Sequence, residues 1–466
     1  MEAVDTVSAL QPILVGGSDA IENGDTVEQR VDDGARDDRD LIFFCPDVTD
    51  ATTIKRVRQF QDQGYPVTVF GFRRERYNRD YAPSWPYVPL GATSDGRYGQ
   101  RLRALLGALP AIIANRLRLA RASVFYARNI DQLILTLFAR LLSWSRAPIV
   151  YEVLDIPPIL TGHGMQSRLL RAIERLCLKR IRLLVVSSPG FHRHYFEAIQ
   201  NYGGPWFLLE NKLHPSIRQA PTLPPEGRAV ARARRAERRW VVGYYGLIRG
   251  DDTFELMTRL AERLRDRVVF KFRGVLTTVD EGKFRDALER HENMIYGGPY
   301  VPHQDLGRLY GDVDFAWALD LEHVDHNSRW LLPCRFYEAG FFGVPCLAVR
   351  GFEAGERVEQ LEIGWIFREP LEDALVRFFE TLDPADYEAR RERLEAIPER
   401  EFVAGEDIAA LCTWFGDRKP AAGDPAADSE PSDPGLTLTR HAAAISRSVG
   451  TWTGSPKQRH VQGPTP

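Results

Sequence analysis

The sequence lacks the features of a membrane-spanning or disulfide-stabilised protein. Its longest apolar stretch, residues 104–114, is far shorter than the about 18 residues of a spanning helix and contains Gly107 and Pro110. The N-terminus is acidic and has no basic segment followed by an apolar run, so no signal peptide is expected. Five scattered cysteines without a C-x-x-C pair predict reduced, buried thiols. We therefore expect a cytoplasmic protein that is soluble or bound to the membrane surface.

A strong excess of charge is also absent, because the 466 residues carry a net charge of only −3. This balance argues against a general nucleic-acid binder. The charge is unevenly spread: residues 1–40 hold eleven acids and three arginines, so the remainder is net positive. Residues 1–40 are poor in aromatics, and residues 418–466 are rich in Pro, Gly, Ser, Thr and Ala. Both segments are predicted to be disordered tails.

Between the tails, short apolar runs alternate with amphipathic helical stretches. In the first half these runs are residues 41–44, 67–70, 124–126, 149–153, 183–186 and 206–209. In the second half they are residues 240–245, 268–272, 294–296, 313–319, 344–349 and 365–367. Such alternation predicts parallel sheets covered on both faces, and the proline- and arginine-rich residues 213–239 separate two series. The expected fold is α/β, with two doubly wound Rossmann-like domains, residues 41–225 and 226–417, facing a cleft. The C-terminal helix can return to the first domain.

The segment Gly243–Thr253 follows a predicted strand and contains a glycine turn before a helix start. Glycine at 246 lets the backbone approach a ligand closely, and a helix N-terminus attracts phosphate. Arg249 would add a charge-assisted contact to a diphosphate. The spacing is not that of a dinucleotide fingerprint, so a simple tight turn remains the alternative.

The segment from Asn327 to Ala348 is the most specific in the chain. It predicts a helix that ends at Gly343 and a strand that begins near Val344. A carboxylate at Glu338 that points into the cleft would accept hydrogen bonds from ribose hydroxyls. The alternative is that Glu338 is a solvent-facing helix residue followed by an ordinary turn.

Arg335-Phe-Tyr337-Glu338, followed by Gly343-Val-Pro345, resembles the R/K-x-Y-E and G-x-P signature of group 1, family 4-type glycosyltransferases. Four further stretches are similar to strands or conserved segments of that family, namely residues 149–155, 184–187, 242–246 and 296–314. The similarity covers roughly residues 41–415. It is strongest to bacterial exopolysaccharide members, including succinoglycan-type glucosyltransferases.

The resemblance implies the two-domain fold called GT-B and metal-independent sugar transfer without a cofactor, from a nucleotide-sugar co-substrate such as UDP-glucose. The first domain would bind the acceptor and the second the donor. The implied donor-binding residues are Gly246, Arg249, Asn327, Arg335, Tyr337 and Glu338. One departure concerns the glutamate that many members carry eight positions before Glu338, because Trp330 stands there. This departure leaves donor identity and the retaining or inverting outcome open.

Asp155 is the candidate base that deprotonates the acceptor hydroxyl. It follows a predicted strand of the first domain and precedes two prolines that would stiffen its loop. Asp47 and Asp50, after the first strand, are rival acceptor-binding acids. A loop-capping role for Asp155 is the alternative, and a retaining enzyme would need no such base.

Two acidic patterns raise the question of a metal site. Asp312-Val-Asp314 spells D-x-D, but Asp314 begins an apolar run, which favours a structural role. A second cluster of potential ligands consists of Asp320, His323, Asp325 and His326. Its spacing matches no familiar zinc site, so we expect no metal.

Two basic segments of the first half, residues 97–121 and 166–182, combine arginines with apolar residues. Basic amphipathic segments attract anionic lipid, although solvated helix faces are an equal alternative. We thus expect a cytoplasmic enzyme that transfers a hexose or uronic acid from a UDP-linked donor to a growing, lipid-linked bacterial exopolysaccharide. The basic segments would allow it to bind peripherally at the inner face of the plasma membrane. A sugar-nucleotide epimerase and a non-catalytic scaffold that binds nucleotide sugars are the alternatives.

Overall fold

The computed structural model describes residues 40–74, 81–93 and 98–415, with the backbone alone for residues 98–102, 225, 228, 302 and 303. The two predicted tails lie outside these ranges apart from Asp40, and so does Arg97 at the start of the first basic segment. No helix in the described ranges is long and apolar enough to cross a bilayer.

The first half of the chain forms a parallel sheet of seven described strands in the order β3-β2-β1-β4-β5-β6-β7. The strands are β1 Leu41–Cys45, β2 Val67–Arg73, β3 Tyr87–Ala92, β4 Val124–Arg128, β5 Ile149–Val153, β6 Leu183–Val186 and β7 Trp206–Leu208. The connecting helices are α1 Ala51–Asp62, α2 Tyr98–Ala114, α3 Arg116–Ala120, α4 Ile130–Leu142, α5 Pro158–Thr161, α6 Met165–Leu178 and α7 Pro189–Phe191, which continues as a π-helical turn, His192–Glu197.

The second half forms a six-stranded parallel sheet in the order β10-β9-β8-β11-β12-β13 within the described residues. Its strands are β8 Trp240–Ile248, β9 Val268–Leu276, β10 Met294–Tyr296, β11 Phe315–Trp317, β12 Cys346–Val349 and β13 Gly364–Phe367. The helices are α8 Pro225–Ala236, α9 Asp251–Arg263, α10 Glu281–Arg290, α11 Pro302–Gly311, α12 Asn327–Trp330, α13 Cys334–Phe341, α14 Glu353–Leu361, α15 Leu371–Thr381, α16 Pro384–Glu395 and α17 Glu406–Cys412. Three 3-10 turns are Pro215–Gln219, Glu399–Glu401 and Thr413–Phe415.

Each sheet buries both faces because successive strand side chains point to opposite sides. In β1, Ile42 and Phe44 pack under α2, α4 and α6, whereas Leu41 and Phe43 pack under α1. For this reason the apolar runs from which we predicted strands are continuous and do not alternate with polar residues. The sequence did not predict β3, an edge strand in which Leu90 is the one buried residue and Pro89 lacks an N–H group.

The end of the described chain packs on the first sheet. Leu411 of α17 and Phe415 lie in the same apolar cluster as β1 and α1. The Phe415 ring is 5.6 Å from the ring of Phe60 and 6.2 Å from that of Tyr126. A parallel bridge between Leu213 and Val403 accompanies this return of the chain. The segments around residues 213 and 403 therefore pair with each other where the chain returns to the first sheet.

Candidate functional site

Charged side chains gather where strands of the second sheet end. Arg249, just beyond β8, donates through Nε to Asp320 Oδ2 at 2.9 Å, and its Nε lies 3.4 Å from Glu322 Oε2. Ser328 Oγ donates to the other carboxylate oxygen of Asp320 at 3.0 Å. Burial alone would raise the pKa of Asp320, but Arg249 and Arg335 outweigh it and lower that pKa. Asp320 is thus an ionised anchor that orients Arg249.

Arg335 has a guanidinium group with one buried donor that lacks a hydrogen-bond acceptor in the described part of the chain. It lies in the first turn of α13 and is 7% exposed. Its guanidinium carbon sits 4.2 Å from the centre of the Tyr244 ring, a cation–π contact. Its Nη1 is fully buried and finds no hydrogen-bond acceptor among the residues that the structure describes. A buried cation with an unsatisfied donor is costly unless an anion completes it, so this position suits an anionic ligand.

Glu338 lies one helical turn after Arg335. Its Oε2 accepts a hydrogen bond from the Tyr310 hydroxyl at 2.8 Å. Burial raises the pKa of Glu338, whereas Tyr310, Arg335 and Lys55 oppose this effect. The described residues offer no hydrogen bond to Oε1, so that oxygen remains available to a ligand hydroxyl.

Lys55 brings a second cation to α13 from the first sheet's side. Its Nζ donates to the backbone oxygens of Asn211 and Lys212 at 3.1 and 2.7 Å, and Asn211 Nδ2 contacts Cys334 Sγ at 3.0 Å. Burial lowers the pKa of Lys55 to about 8. Sequence reasoning missed Lys55, since a lysine inside an amphipathic helix carries no signal for a contact 156 residues away.

Asp155 lies in the loop after β5 and is exposed to solvent. Asn327 Nδ2 donates to Asp155 Oδ1 at 3.3 Å, and Asn327 Oδ1 accepts from the backbone N–H of Ile156 at 2.9 Å. Protein atoms packed around the Asp155 carboxylate raise its pKa by desolvation, while Arg249 opposes the shift. Asn327 therefore uses both ends of its amide to fix the Asp155 loop, and it joins this loop to the donor-side charges.

The other predicted acids of the first domain cap local structure. Asp50 is the N-cap of α1 and accepts from the backbone N–H groups of Thr52 and Thr53 at 2.8 and 3.1 Å. Asp47 is 3% exposed and accepts from the backbone N–H and the hydroxyl of Thr49. Burial raises the pKa of Asp47. The charge of Asp50 also contributes to the raised pKa of Asp155.

Gly246 and Tyr337, which were both predicted to bind the donor, differ in their exposure. Gly246 has φ +108°, a backbone conformation that favours glycine, and a Cβ added there would meet no atom within 4 Å. Tyr337 is completely buried in the apolar cluster under the second sheet. Its hydroxyl finds no partner in the described part of the chain. Gly246 thus borders open space, whereas Tyr337 packs in the core.

Trp330 packs into the core of the first sheet although it belongs to the second half of the sequence. It is 8% exposed, and its ring stacks on that of His194 at 5.7 Å between centres. The Ser188 hydroxyl donates to its backbone oxygen. A Cβ on Gly190 would come within 2.6 Å of that oxygen, so the two segments approach closely. Trp330 therefore anchors α12 to the first sheet.

The residues of the D-x-D pattern are engaged by cations of the protein. Asp314 is buried and accepts from Arg234, Arg235 and the backbone N–H of Val241. Asp312 pairs with Lys271. Among the residues that the structure describes, no group of three or more acidic, histidine or cysteine side chains is arranged to hold a metal.

The chain is similar in sequence to a known family and to a known protein. Residues 55–202 match the glycosyl transferase 4-like domain. The chain is 28% identical over 354 residues to the succinoglycan biosynthesis protein ExoL of Rhizobium meliloti (strain 1021), covering 76% of this chain and 87% of that protein.

Solved structures show the same fold. Anabaena HepE in complex with UDP-glucose matches with a TM-score of 0.58 at 15% identity, over 80% of this chain and 99% of that one. WaaG, a glycosyltransferase involved in lipopolysaccharide biosynthesis, matches with a TM-score of 0.52 at 15% identity, over 78% and 97% of the two chains. These findings confirm the expected resemblance to glycosyltransferases and the predicted fold of two Rossmann-like domains.

Proposed function

We propose that this glycosyltransferase moves a hexose, or its uronic acid, from a UDP-linked donor to a growing, lipid-linked exopolysaccharide. The glycosyl transferase 4-like domain supports the reaction class. The name of the related protein ExoL supports a role in exopolysaccharide biosynthesis. The complex of HepE with UDP-glucose supports a uridine nucleotide donor.

The buried Nη1 of Arg335, which has no hydrogen-bond acceptor among the described residues, is the observation that carries the proposal. A nucleotide diphosphate would complete it with charge-assisted hydrogen bonds, each stronger than a neutral one. Arg249 would share its charge between Asp320 and the same diphosphate, beside the open space at Gly246. Negative charge grows on the diphosphate as the sugar leaves, and fixed cations stabilise it in the transition state. This charge compensation needs no metal ion, so we expect activity to be insensitive to EDTA.

Glu338 would hold the ribose. Tyr310 fixes one carboxylate oxygen, and the ribose hydroxyls would donate to the other. Hydrogen bonds of this kind favour the ionised carboxylate and would lower the pKa that burial raises. Donor binding and ionisation of Glu338 would therefore reinforce each other. Tyr337, which we predicted at the donor, would support α13 from the core.

Asp155 would act as the base in an inverting transfer. Its raised pKa suits proton acceptance near neutral pH better than that of a fully hydrated carboxylate. Asn327 would keep the Asp155 loop against the donor-side charges, and Asp50 and Asp47 would shape the acceptor side. A retaining transfer would not use Asp155 as a base, and the stereochemistry of the product decides between the two.

The lipid-linked acceptor would be met at the inner face of the plasma membrane. The two basic segments of the first domain, residues 97–121 and 166–182, support peripheral attraction to anionic lipid. The enzyme would then be cytoplasmic and would reach its acceptor from the membrane surface.

The test is calorimetric binding of UDP-, GDP- and ADP-sugars to the full chain, with and without EDTA, for the parent and for Arg335→Gln. Loss of a charged hydrogen bond of about 1.5–3 kcal/mol predicts about 10- to 150-fold weaker binding of the UDP-sugar. Arg350→Gln, which removes an exposed guanidinium paired with Glu359, is the matched control and should bind like the parent.

Equal affinity in the Arg335→Gln variant and the parent would refute the donor site. Product analysis then separates the alternatives. Interconversion of two UDP-sugars without transfer would indicate an epimerase. Tight binding with no turnover in the presence of membrane lipid extracts would indicate a scaffold.

A further inference from the structure

Lys55 of α1 holds the segment by which the chain leaves the first sheet. Asn211 and Lys212 belong to this segment, which starts after β7. The Lys55 ammonium donates to their backbone oxygens at 3.1 and 2.7 Å, and it also donates to the side-chain oxygen of Asn211. Among the described residues, no other group donates to either backbone oxygen. One side chain thus satisfies the carbonyl groups of a segment that lies outside both sheets.

The side chain of Asn211 connects Lys55 with the start of α13. Its oxygen accepts from Lys55, and its Nδ2 lies 3.0 Å from the sulfur of Cys334. Cys334 is the first residue of α13, and the donor-site candidates Arg335 and Glu338 follow it within the next turn or so. Because residues of one helical turn move together, the position of Cys334 bears on where both side chains stand. The contact between Lys55 and Asn211 therefore acts on the geometry of the donor site.

The charge of Lys55 reaches α13 as well. Its ammonium has three neutral oxygens as acceptors and forms no ion pair within the described ranges. It opposes the rise in the pKa of Glu338 that burial causes. Desolvation lowers the pKa of Lys55 itself to about 8, so the ammonium form predominates at neutral pH and is lost in mildly alkaline solution. The charged and titratable groups that face it from α1, β4, the segment after β7 and α13 are Arg56, Arg128, Lys212, Cys334 and Glu338.

We propose that Lys55 is a positioning residue of the donor site. Through Asn211 it holds the start of α13, so that Arg335 and Glu338 are in place for the diphosphate and the ribose before a nucleotide sugar binds. The ammonium form offers three N–H donors and a positive charge, whereas the neutral amine offers two donors and no charge. Donor affinity therefore falls as the pH rises through the pKa of Lys55. The inference rests on the proposed function, since that function takes α13 to bind the nucleotide.

The test is calorimetric binding of UDP-glucose to the full chain at about pH 7 and about pH 9, on either side of the Lys55 pKa of about 8. Lys55→Gln removes charged hydrogen bonds and should bind about tenfold more weakly than the parent at the lower pH. The parent should lose about fivefold in affinity at the higher pH, where about nine-tenths of Lys55 is neutral. Lys55→Gln should show no such loss, and neither should Lys55→Arg, because arginine stays charged.

Lys283→Gln is the matched control, because the Lys283 side chain is 60% exposed and its ammonium lies 3.7 Å from Glu255. It should keep the parent's affinity and pH profile. Hydrogen–deuterium exchange without nucleotide gives a readout that does not depend on the donor. In Lys55→Gln, peptides that cover residues 208–214 and 334–342 should exchange about tenfold faster than in Lys283→Gln.

Asn211→Asp tests the path through the Asn211 side chain. A carboxylate beside the ammonium raises the pKa of Lys55, so this variant should lose less affinity than the parent between the two pH values. Equal affinity of Lys55→Gln and the parent at the lower pH would overturn the inference. So would the same alkaline loss in the parent, Lys55→Gln and Asn211→Asp.

The same measurements keep the two proposals apart. Weaker binding in Arg335→Gln together with unchanged binding in Lys55→Gln would refute the positioning role alone. A parent that binds no UDP-sugar would refute the donor proposal. The exchange rates would then decide on Lys55, because unchanged rates in Lys55→Gln would show that it does not hold α13.

Discussion

The buried ion network around Glu152 in β5 offers a sharp test of how the first domain is held together. Glu152 is 0% exposed and accepts from Arg56 at 2.9 and 2.8 Å and from Arg128 at 2.8 and 2.7 Å. Arg128 also donates to the hydroxyls of Thr52 and Thr53. The network therefore ties α1 to β4 and β5, and α1 carries the N-cap Asp50 and the site lysine Lys55.

The substitution Glu152→Ala would leave two buried guanidinium groups without their carboxylate. Breaking a buried ion pair by removing one partner costs about 3–5 kcal/mol, a large share of a typical stability of about 5–15 kcal/mol. For a domain of this size, one kcal/mol corresponds to a shift of about 2–4 °C. The melting temperature of the first domain should therefore fall by about 6–20 °C.

Differential scanning calorimetry of the full chain provides the measurement, with Glu197→Ala as the control. Glu197 is 67% exposed, and its contact with His192 is long for an ion pair, at 3.9 Å. Removal of Glu197 should therefore cost at most about 1 kcal/mol. Burial would raise the pKa of Glu152, but Arg128 and Arg56 outweigh burial and lower it. The stability that Glu152 contributes is thus present above the unfolded pKa of about 4.3 and is lost as the pH falls through the lower folded pKa. Equal melting shifts for both variants at neutral pH would refute the reasoning.

Three further predictions concern single residues. Asp155→Asn should lower kcat about 10²- to 10⁴-fold with little change in the donor KM. The parent's kcat/KM should rise with pH through the raised pKa of Asp155. A variant that keeps the parent's pH profile would contradict the role of Asp155 as a base. Trp330→Ala should destabilise the fold by about 3–5 kcal/mol in denaturant titrations, and a loss below about 1 kcal/mol, as expected for an exposed tryptophan such as Trp144, would contradict its role as an anchor. Burial raises the pKa of Glu174, so the carboxyl stabilises the fold below its unfolded pKa, and this contribution is lost as the pH rises through the folded pKa. In Glu174→Gln the melting temperature should therefore fall less with rising pH than in the parent. The control Glu197→Gln should show the same pH dependence as the parent.

The fold was largely predictable from local patterns. Strands such as Leu41–Cys45 and Ile149–Val153 are continuous apolar runs because both faces of a parallel sheet are covered. The strand Tyr87–Ala92 escaped prediction because it lies at the sheet edge, where one buried residue leaves no periodic signal. Resemblance, rather than periodicity, singled out Arg335 and Glu338, and the donor and acceptor roles of the predicted residues remain predictions.

Other parts of the site depended on contacts between distant positions. Nothing near Lys55 in the sequence indicates that its ammonium group reaches Asn211, 156 positions away. Asn327 was expected at the donor, yet its amide meets the backbone of Ile156 across 171 positions. Hydrogen bonds of this kind join positions that only the folded chain brings together, so no local pattern encodes them.

The sequence by itself determined the two α/β domains, because apolar periodicity reports which face of each element must leave water. Tertiary structure decided which polar groups lack partners and which apolar groups lack cover. Arg335 keeps one unsatisfied donor, Nη1, because its guanidinium group packs on the Tyr244 ring and meets no hydrogen-bond acceptor among the described residues. Trp144, just after the end of α4, is exposed, whereas Trp330 is buried because α12 docks on the first sheet. Two tryptophans with equal hydrophobicity thus differ in burial, because the tertiary structure and not the residue type decides which side chain is covered.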